Sequence, residues 1–222
     1  KYSDDQSNTQ RFYRNAIKNH ISPALGNIKA SSLTTKSIES LLRDMAARQL
    51  GAGTIKGVKA SLSAAFNDAV RLGDLTRNPM KNVKMPDIQS KPSKPLPRND
   101  WERIYLEAMK YPYMHARIEV AGMLALRPGE ALGLRWADLN GQESTLRVAR
   151  QVQRVKGKGL VVKAVKQKKE RTLPISDTTI QILLTHKRYQ ALQKAAWTED
   201  LDLMFPNSLG KPQDEKADRN AF

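Results

Sequence analysis

Residues 85–97 read MPDIQSKPSKPLP, and Pro86, Pro92, Pro95 and Pro97 exclude a regular helix there because each proline lacks an amide donor. No apolar period survives in the stretch, so it reads as an extended linker over residues 86–97. The chain is thereby constrained to fold as two units, 1–85 and 98–222, rather than around one continuous core. Its 222 residues, 40% of them apolar, suffice for two small domains.

The first unit reads as all-α. Ile38, Leu41, Leu42 and Met45 repeat at helical spacing after Thr35, which reads as a cap. Ile55, Val58, Leu62, Ala65, Phe66 and Ala69 form a longer stripe, closed by Gly73 and then Asn78-Pro79. An earlier helix around Arg11 to His20 completes this domain. Beyond the linker, Asn99 with Glu102 three residues on predicts the start of a helix running through Met109, and a second helix is expected from about Tyr113 to Leu126. Residues 144–175 are rich in Val and Thr, and are broken by Lys156-Gly157-Lys158-Gly159 and again by Lys166 to Glu170, which predicts three short antiparallel strands. Ile180, Leu183, Leu184 and Leu192 return to helical spacing. The expected fold class is mainly α with a small antiparallel sheet, an α+β protein.

Charge narrows the partner. There are 38 Lys plus Arg against 22 Asp plus Glu, a net charge of +16, and nucleic acid is the commonest polyanion such a chain meets. Residues 1–90 carry 14 basic and 7 acidic side chains and residues 91–222 carry 24 and 15, so the excess is spread over both units rather than held in a tail. The absence of cysteine excludes disulfides, thiolate nucleophiles and Cys-based metal sites. Nothing resembles a signal peptide or an 18-residue apolar span, which leads to the expectation of a soluble cytoplasmic protein without a membrane partner. Lys56, Lys59 and Ser63 lie opposite the apolar stripe of their helix and could sit on phosphates, or could form an ordinary solvated face. Within residues 150–171, Arg150, Arg154, Lys156, Lys158, Lys163, Lys166, Lys168, Lys169 and Arg171 meet a single local acid, Glu170. Folded into a hairpin, the cluster concentrates positive charge at one place, suited to a nucleic-acid backbone and carried below as a DNA-binding candidate; a lysine-rich edge that discourages sheet pairing is the alternative.

The stretch ALRPGEALGLRW, residues 125–136, places Arg127 between an apolar run and Pro128-Gly129, with Glu130 three residues on. Proline and glycine break the helix and fix the guanidinium at a turn, Glu130 can orient it, and Leu132, Leu134 and Trp136 re-enter the core. A rigid apolar frame thus carries one fork-shaped group suited to a phosphate.

The run from Leu126 to Asp138 resembles the first arginine box of tyrosine recombinases, the phage-type integrases, of the form L-R-x-G-E-x-x-x-L-x-W-x-D. Residues 166–174, KQKKERTLP, are similar to that family's hairpin K-x-x-K-x-R-x-x-P, and residues 11–85 resemble its core-binding domain. The resemblance implies site-specific DNA recombination, as in integration or excision of a phage or mobile element, through a 3′-phosphotyrosyl intermediate and without ATP or a metal cofactor. It implies that Arg127 holds the non-bridging phosphate oxygens, that Lys166 protonates the departing 5′-oxygen, and that Glu130 steadies the site. The implied partner is double-stranded DNA at a specific recombination site in a bacterial cell, with a homo-tetramer in the synaptic complex.

The family pattern is not complete here. His20, His115 and His186 are followed three residues later by Pro23, Ile118 and Tyr189, so no His-x-x-Arg box is present. Tyr2, Tyr13, Tyr105, Tyr111, Tyr113 and Tyr189 all precede the place where the nucleophile belongs. The expectation is a catalytic domain incomplete at its C-terminus and inactive alone in strand cleavage. The alternatives are a non-catalytic DNA-binding regulator that retains the fold, and a basic RNA-binding protein.

Overall fold

The computed structural model describes residues 8–88, 94–155, 157–165 and 170–220. They fall into two compact units, Lys1–Lys94 and Pro95–Phe222.

The first unit is helical. α1 (Asn8–Ala16) passes into a π-helical turn (Ile17–Ile21) and then α2 (Ser22–Leu25), so the helix expected to end at His20 changes its winding at Ile17. α3 (Thr35–Ala47) and α4 (Ala52–Arg71) follow. Thr34, one residue before the expected cap, fills that role: its Oγ1 accepts from the Ser37 amide at 3.2 Å while Ser37 Oγ accepts from the Thr34 amide at 3.1 Å. Thr35 instead donates its hydroxyl to the Pro79 carbonyl at 2.9 Å, tying α3 to the chain beyond α4. Ile38, Leu42, Met45 and Ile55 are fully buried, joined by Val58, Leu62, Phe66, Met80 and Val83. Ala65, read as part of the stripe, is exposed. The chain stays against this core beyond α4, since Met85 and Ile88 pack on it.

The second unit opens with α5 (Arg98–Ala108) and α6 (Pro112–Gly122). Pro97 holds the N-cap position of α5, so Asn99 lies inside the first turn and is not the cap. α6 stops at Gly122, four residues short of the expected Leu126. Ala125 takes a left-handed φ of 47°, which turns Leu126 back into the core, and Pro128 bars Arg127 from helical geometry. After α7 (Pro128–Leu132) come β1 (Leu139–Asn140), β2 (Thr145–Val148), β3 (Arg150–Val155), β4 (Gly159–Ala164) and β5 (Arg171–Pro174), then α8 (Asp177–Gln193) and α9 (Glu215–Asn220).

The strands form two antiparallel sheets, ordered β1-β2-β5 and β3-β4, five strands where three were expected. β2 pairs with β5, placing Val148 opposite Arg171, and β3 pairs with β4 across the Gly157 to Gly159 turn. The switch falls where Val148 and Ala149 are both buried, which breaks the alternation a single continuous strand needs. Gly157 and Gly159 take φ of 81° and 74°, left-handed values that explain two glycines in one turn. The core gathers Ala116 and Val120 of α6, Leu132 of α7, Leu146 and Val148 of β2, Leu183 of α8, and Met204 and Phe205. No helix among the described residues is long and apolar enough to cross a membrane.

Candidate active site

α7 is a five-residue helix that begins with proline at its first position and has Arg127 as its N-cap residue, in extended geometry (φ −64°, ψ 147°). Glu130 reaches back over this turn: its Oε2 accepts from the Arg127 amide at 3.2 Å and its Oε1 from Arg127 Nη1 at 2.8 Å. The helix also lies directly on strand β3. A Cβ on Gly133 would stand 2.8 Å from the Arg150 carbonyl carbon and oxygen, and one on Gly129 2.8 Å from the Val152 oxygen. The glycines in the arginine box are therefore steric necessities, since the backbone atoms they face cannot step aside. Gly133→Ala is expected to cost about 1–3 kcal/mol by forcing α7 away from β3, read as a lowered Tm with the duplex absent.

Glu130 is the electrostatic centre. Its side chain is 5% exposed and sits between Arg127, 79% exposed, and Arg171, 35% exposed. Arg171 reaches it from β5 through Nη2 to Oε2 at 2.7 Å and Nη1 to Oε1 at 3.3 Å. The Arg171 hydrogen bonds, and after them those from Arg127, pull the carboxyl down to about 2 against burial, which pushes it up. The same pairing raises Arg171 above the usual arginine value, so both partners remain charged.

A carboxyl that titrates near 4.5 when unfolded and about 2 when folded contributes stability that is fully present above the unfolded value. It is lost as pH falls through the folded one. Glu130→Gln is therefore expected to be less stable than the parent chain by roughly 3 kcal/mol at pH 7, with the gap shrinking between pH 5 and pH 2 in urea unfolding.

The structure places the other sequence-derived candidates unevenly. Lys166, Lys168, Lys169 and Lys156 lie outside the described residues. Lys158 is exposed at the β3–β4 turn and Lys163 is partly buried on β4. Arg150 donates to buried Asp138 at 3.0 and 3.3 Å, and Arg154 to Asp214 at 2.7 and 3.2 Å. With Arg171 on Glu130, three guanidiniums of the basic cluster thus have carboxylates brought from elsewhere in the chain, and the local count of one acid understated the neutralisation. Glu170 itself pairs with Arg147. In the first unit Lys56 is exposed on α4, whereas Lys59 is partly buried and donates to the Val83 carbonyl at 2.8 Å, a structural contact rather than a free cation on the outer face.

Sequence reasoning missed the buried polar groups behind the site. Arg117 on α6 and Asp218 on α9 are 4% and 3% exposed and joined by two bonds of 2.8 and 3.1 Å, with the Tyr113 hydroxyl donating to Asp218 at 3.1 Å. Glu119 accepts from the Tyr105 hydroxyl at 2.8 Å and the Thr179 hydroxyl at 2.6 Å. His186 is buried against Phe205, its Nε2 bonded to the Met204 carbonyl at 2.7 Å, and burial lowers its proton affinity. The available signal was a pair of charges, Arg117 and Glu119, inside an otherwise apolar helix.

These groups also occupy tyrosines. Burial and the Glu119 contact push Tyr105 up to about 12, and burial with Asp218 raises Tyr113 as well, the reverse of what a phenolate nucleophile needs.

Known proteins share this architecture. The fold superimposes on the Tn1549 transposon integrase in complex with transposon right end DNA with a TM-score of 0.82, at 21% identity, covering 97% of this chain and 70% of that one. It also matches a lambda integrase tetramer bound to a Holliday junction at 0.67 and 18% identity, covering 98% and 57%. In sequence, residues 4–45 match the phage integrase N-terminal SAM-like domain. A tyrosine recombinase XerC-like protein of Caldanaerobacter subterraneus subsp. tengcongensis is 30% identical over 196 residues, 82% of this chain and 49% of that protein. An integrase of Saccharopolyspora erythraea is 29% identical over 148 residues, 66% and 34% respectively. The chain spans half or less of these relatives' length. It belongs to the tyrosine recombinase family, the phage-type integrases.

Proposed function

We propose that this chain is the DNA-gripping and phosphate-holding part of a site-specific recombinase acting on double-stranded DNA. The observation that carries the reading is Arg127: an exposed guanidinium fixed at the start of a short helix, steadied by a buried carboxylate, in a chain of this family. Such a group is suited to hold the two non-bridging oxygens of a scissile phosphate while negative charge moves between the attacking and leaving oxygens.

In the reaction so assigned, a tyrosine oxygen attacks phosphorus, the bond to the 5′-oxygen breaks, and a proton passes to that oxygen from Lys166, whose role here rests on the hairpin motif. A 5′-hydroxyl of another strand then reverses the step, so bond energy is kept in the phosphotyrosyl link and no nucleotide is consumed. The described tyrosines do not suit the attack: Tyr105 and Tyr113 are bound to carboxylates, Tyr13 lies in the first unit, and Tyr111 and Tyr189 have no His-x-x-Arg partner. The reading therefore takes the tyrosine and its His-x-x-Arg box from outside residues 1–222, and recombination itself from a tetramer on two duplexes.

The corresponding test uses residues 1–222 with a nicked duplex. Duplex binding is expected, weakening steeply between low and moderate salt as counterions are released. No denaturant-resistant protein–DNA band is expected. A band lost on Tyr189→Phe would place the nucleophile inside this chain; flat affinity across salt, or preference for structured RNA over duplex, would remove the DNA reading. A regulator that only binds DNA predicts the same gel-shift result and is separated by restoring a tyrosine-bearing segment, which then yields no adduct.

A further inference from the structure

We infer that Arg171 is a positioning residue, not a DNA ligand: it holds Glu130 so that Arg127 is free to move onto a phosphate. The inference rests on the reading of Arg127 as the phosphate ligand.

Three side chains are arranged by exposure, with the carboxylate innermost at 5%, Arg171 at 35% and Arg127 outermost at 79%. Both arginines bond the two Glu130 carboxylate oxygens, but not in the same way. Arg171 makes two side-chain bonds, one to each oxygen, in the fork geometry that fixes direction as well as distance. Arg127 makes one side-chain bond, through Nη1, and the remaining contact comes from its backbone amide. The backbone bond survives any movement of the side chain. Arg127 can therefore release Oε1 at the loss of a single hydrogen bond.

What that release leaves behind decides the matter. A carboxylate this deeply buried is costly without a cation beside it, and if Arg127 were its only partner the site would resist giving Arg127 to a substrate. Arg171 removes that conflict, because Glu130 keeps a bidentate cation and an amide donor after Arg127 departs. Arg171 is itself anchored, since its strand is paired with β2 opposite Val148 and its fork is committed to Glu130. Of two arginines that the sequence offers toward DNA, Arg127 as the phosphate ligand and Arg171 within the basic cluster, the fold leaves one exposed with a single side-chain bond and commits the other to Glu130 through two.

The test uses the 222-residue chain with a carbon-13 label in the Glu130 carboxyl and a nitrogen-15 label in arginine side chains. Without DNA, Arg171→Gln is expected to raise the Glu130 titration midpoint by about one to two pH units, more than Arg127→Gln does, with Arg171→Lys between the parent and Arg171→Gln. An unchanged midpoint in Arg171→Gln, or a larger rise in Arg127→Gln, overturns the inference. With a short duplex added, the Arg127 Nε signal is expected to move in the parent chain, to move less in Arg171→Gln, and to recover in Arg171→Gln/Glu130→Gln, where an uncharged amide no longer holds Arg127. Failure of the double variant to recover also overturns it, since a purely structural loss would deepen rather than reverse. If the parent signal is silent to every duplex, the phosphate reading of Arg127 fails, while the titration still decides which arginine governs Glu130.

Discussion

Arg117→Met is expected to destabilise the second unit by about 3–5 kcal/mol, seen as a fall in Tm of roughly 10 °C or more. The pair it breaks is almost wholly enclosed, Arg117 at 4% and Asp218 at 3% exposed, with bonds of 2.8 and 3.1 Å. Methionine fills much of the volume but leaves the carboxylate of Asp218 facing the Tyr113 hydroxyl without its guanidinium. That desolvated charge, not the lost attraction, sets the size of the effect. Arg117 also stands 6.0 Å from the centroid of the buried Phe205 ring, so the pair fastens α9 against the core through α6. Adding Asp218→Leu removes the stranded charge, and the double variant is expected to regain most of the loss. If single and double variants melt together, the charge is not the cause.

The legible and illegible parts of this fold differ in the range of the interactions that make them. Helices α3 and α4 follow from stripes such as Ile38, Leu41, Leu42 and Met45, whose period alone buries one face, and all four are in the core. The turn at Arg127 was legible for the same reason, because Pro128 and Gly129 act on the residues beside them. Helix ends were less so. Thr34 rather than Thr35 caps α3, a difference of one residue that hydrogen-bond geometry decides, and α6 stops at Gly122 because Ala125 adopts a left-handed turn that no local residue type announces. The strands were recognised as a region, but their partners were not: β2 closes on β5 across the intervening hairpin, a pairing that propensity does not encode.

Charge was the hardest property to read. Nine cations within residues 150–171 look like an open basic surface, yet Asp138, Glu130 and Asp214 lie 12, 41 and 60 positions from the arginines they meet. A count along the chain has no access to such separations. The same blindness hid the difference between Arg127 and Arg171, since exposure and hydrogen-bond geometry separate an exposed guanidinium with one bond to Glu130 from a partly buried one with two.

Arg127→Lys is expected to lower strand cleavage by roughly 10²–10³-fold when residues 1–222 are joined to a segment supplying a His-x-x-Arg box and a tyrosine, with duplex binding little changed. Lysine keeps the charge, so attraction to the backbone of DNA survives; it loses the planar fork, so it cannot contact two phosphate oxygens in fixed directions while the phosphorus changes geometry. A single ammonium must also choose between the phosphate and Glu130, which the parent side chain engages through Nη1 alone. Folding should be indifferent, because the Arg127 side chain is 79% exposed and the turn is held by its backbone amide and by Arg171 on Glu130. The three measurements discriminate: unchanged melting and duplex affinity with depressed cleavage assign Arg127 to the transition state. Normal cleavage by Arg127→Lys shows that charge without geometry suffices, and joint loss of folding and binding makes the residue structural; either result removes Arg127 from the centre of the proposed reaction.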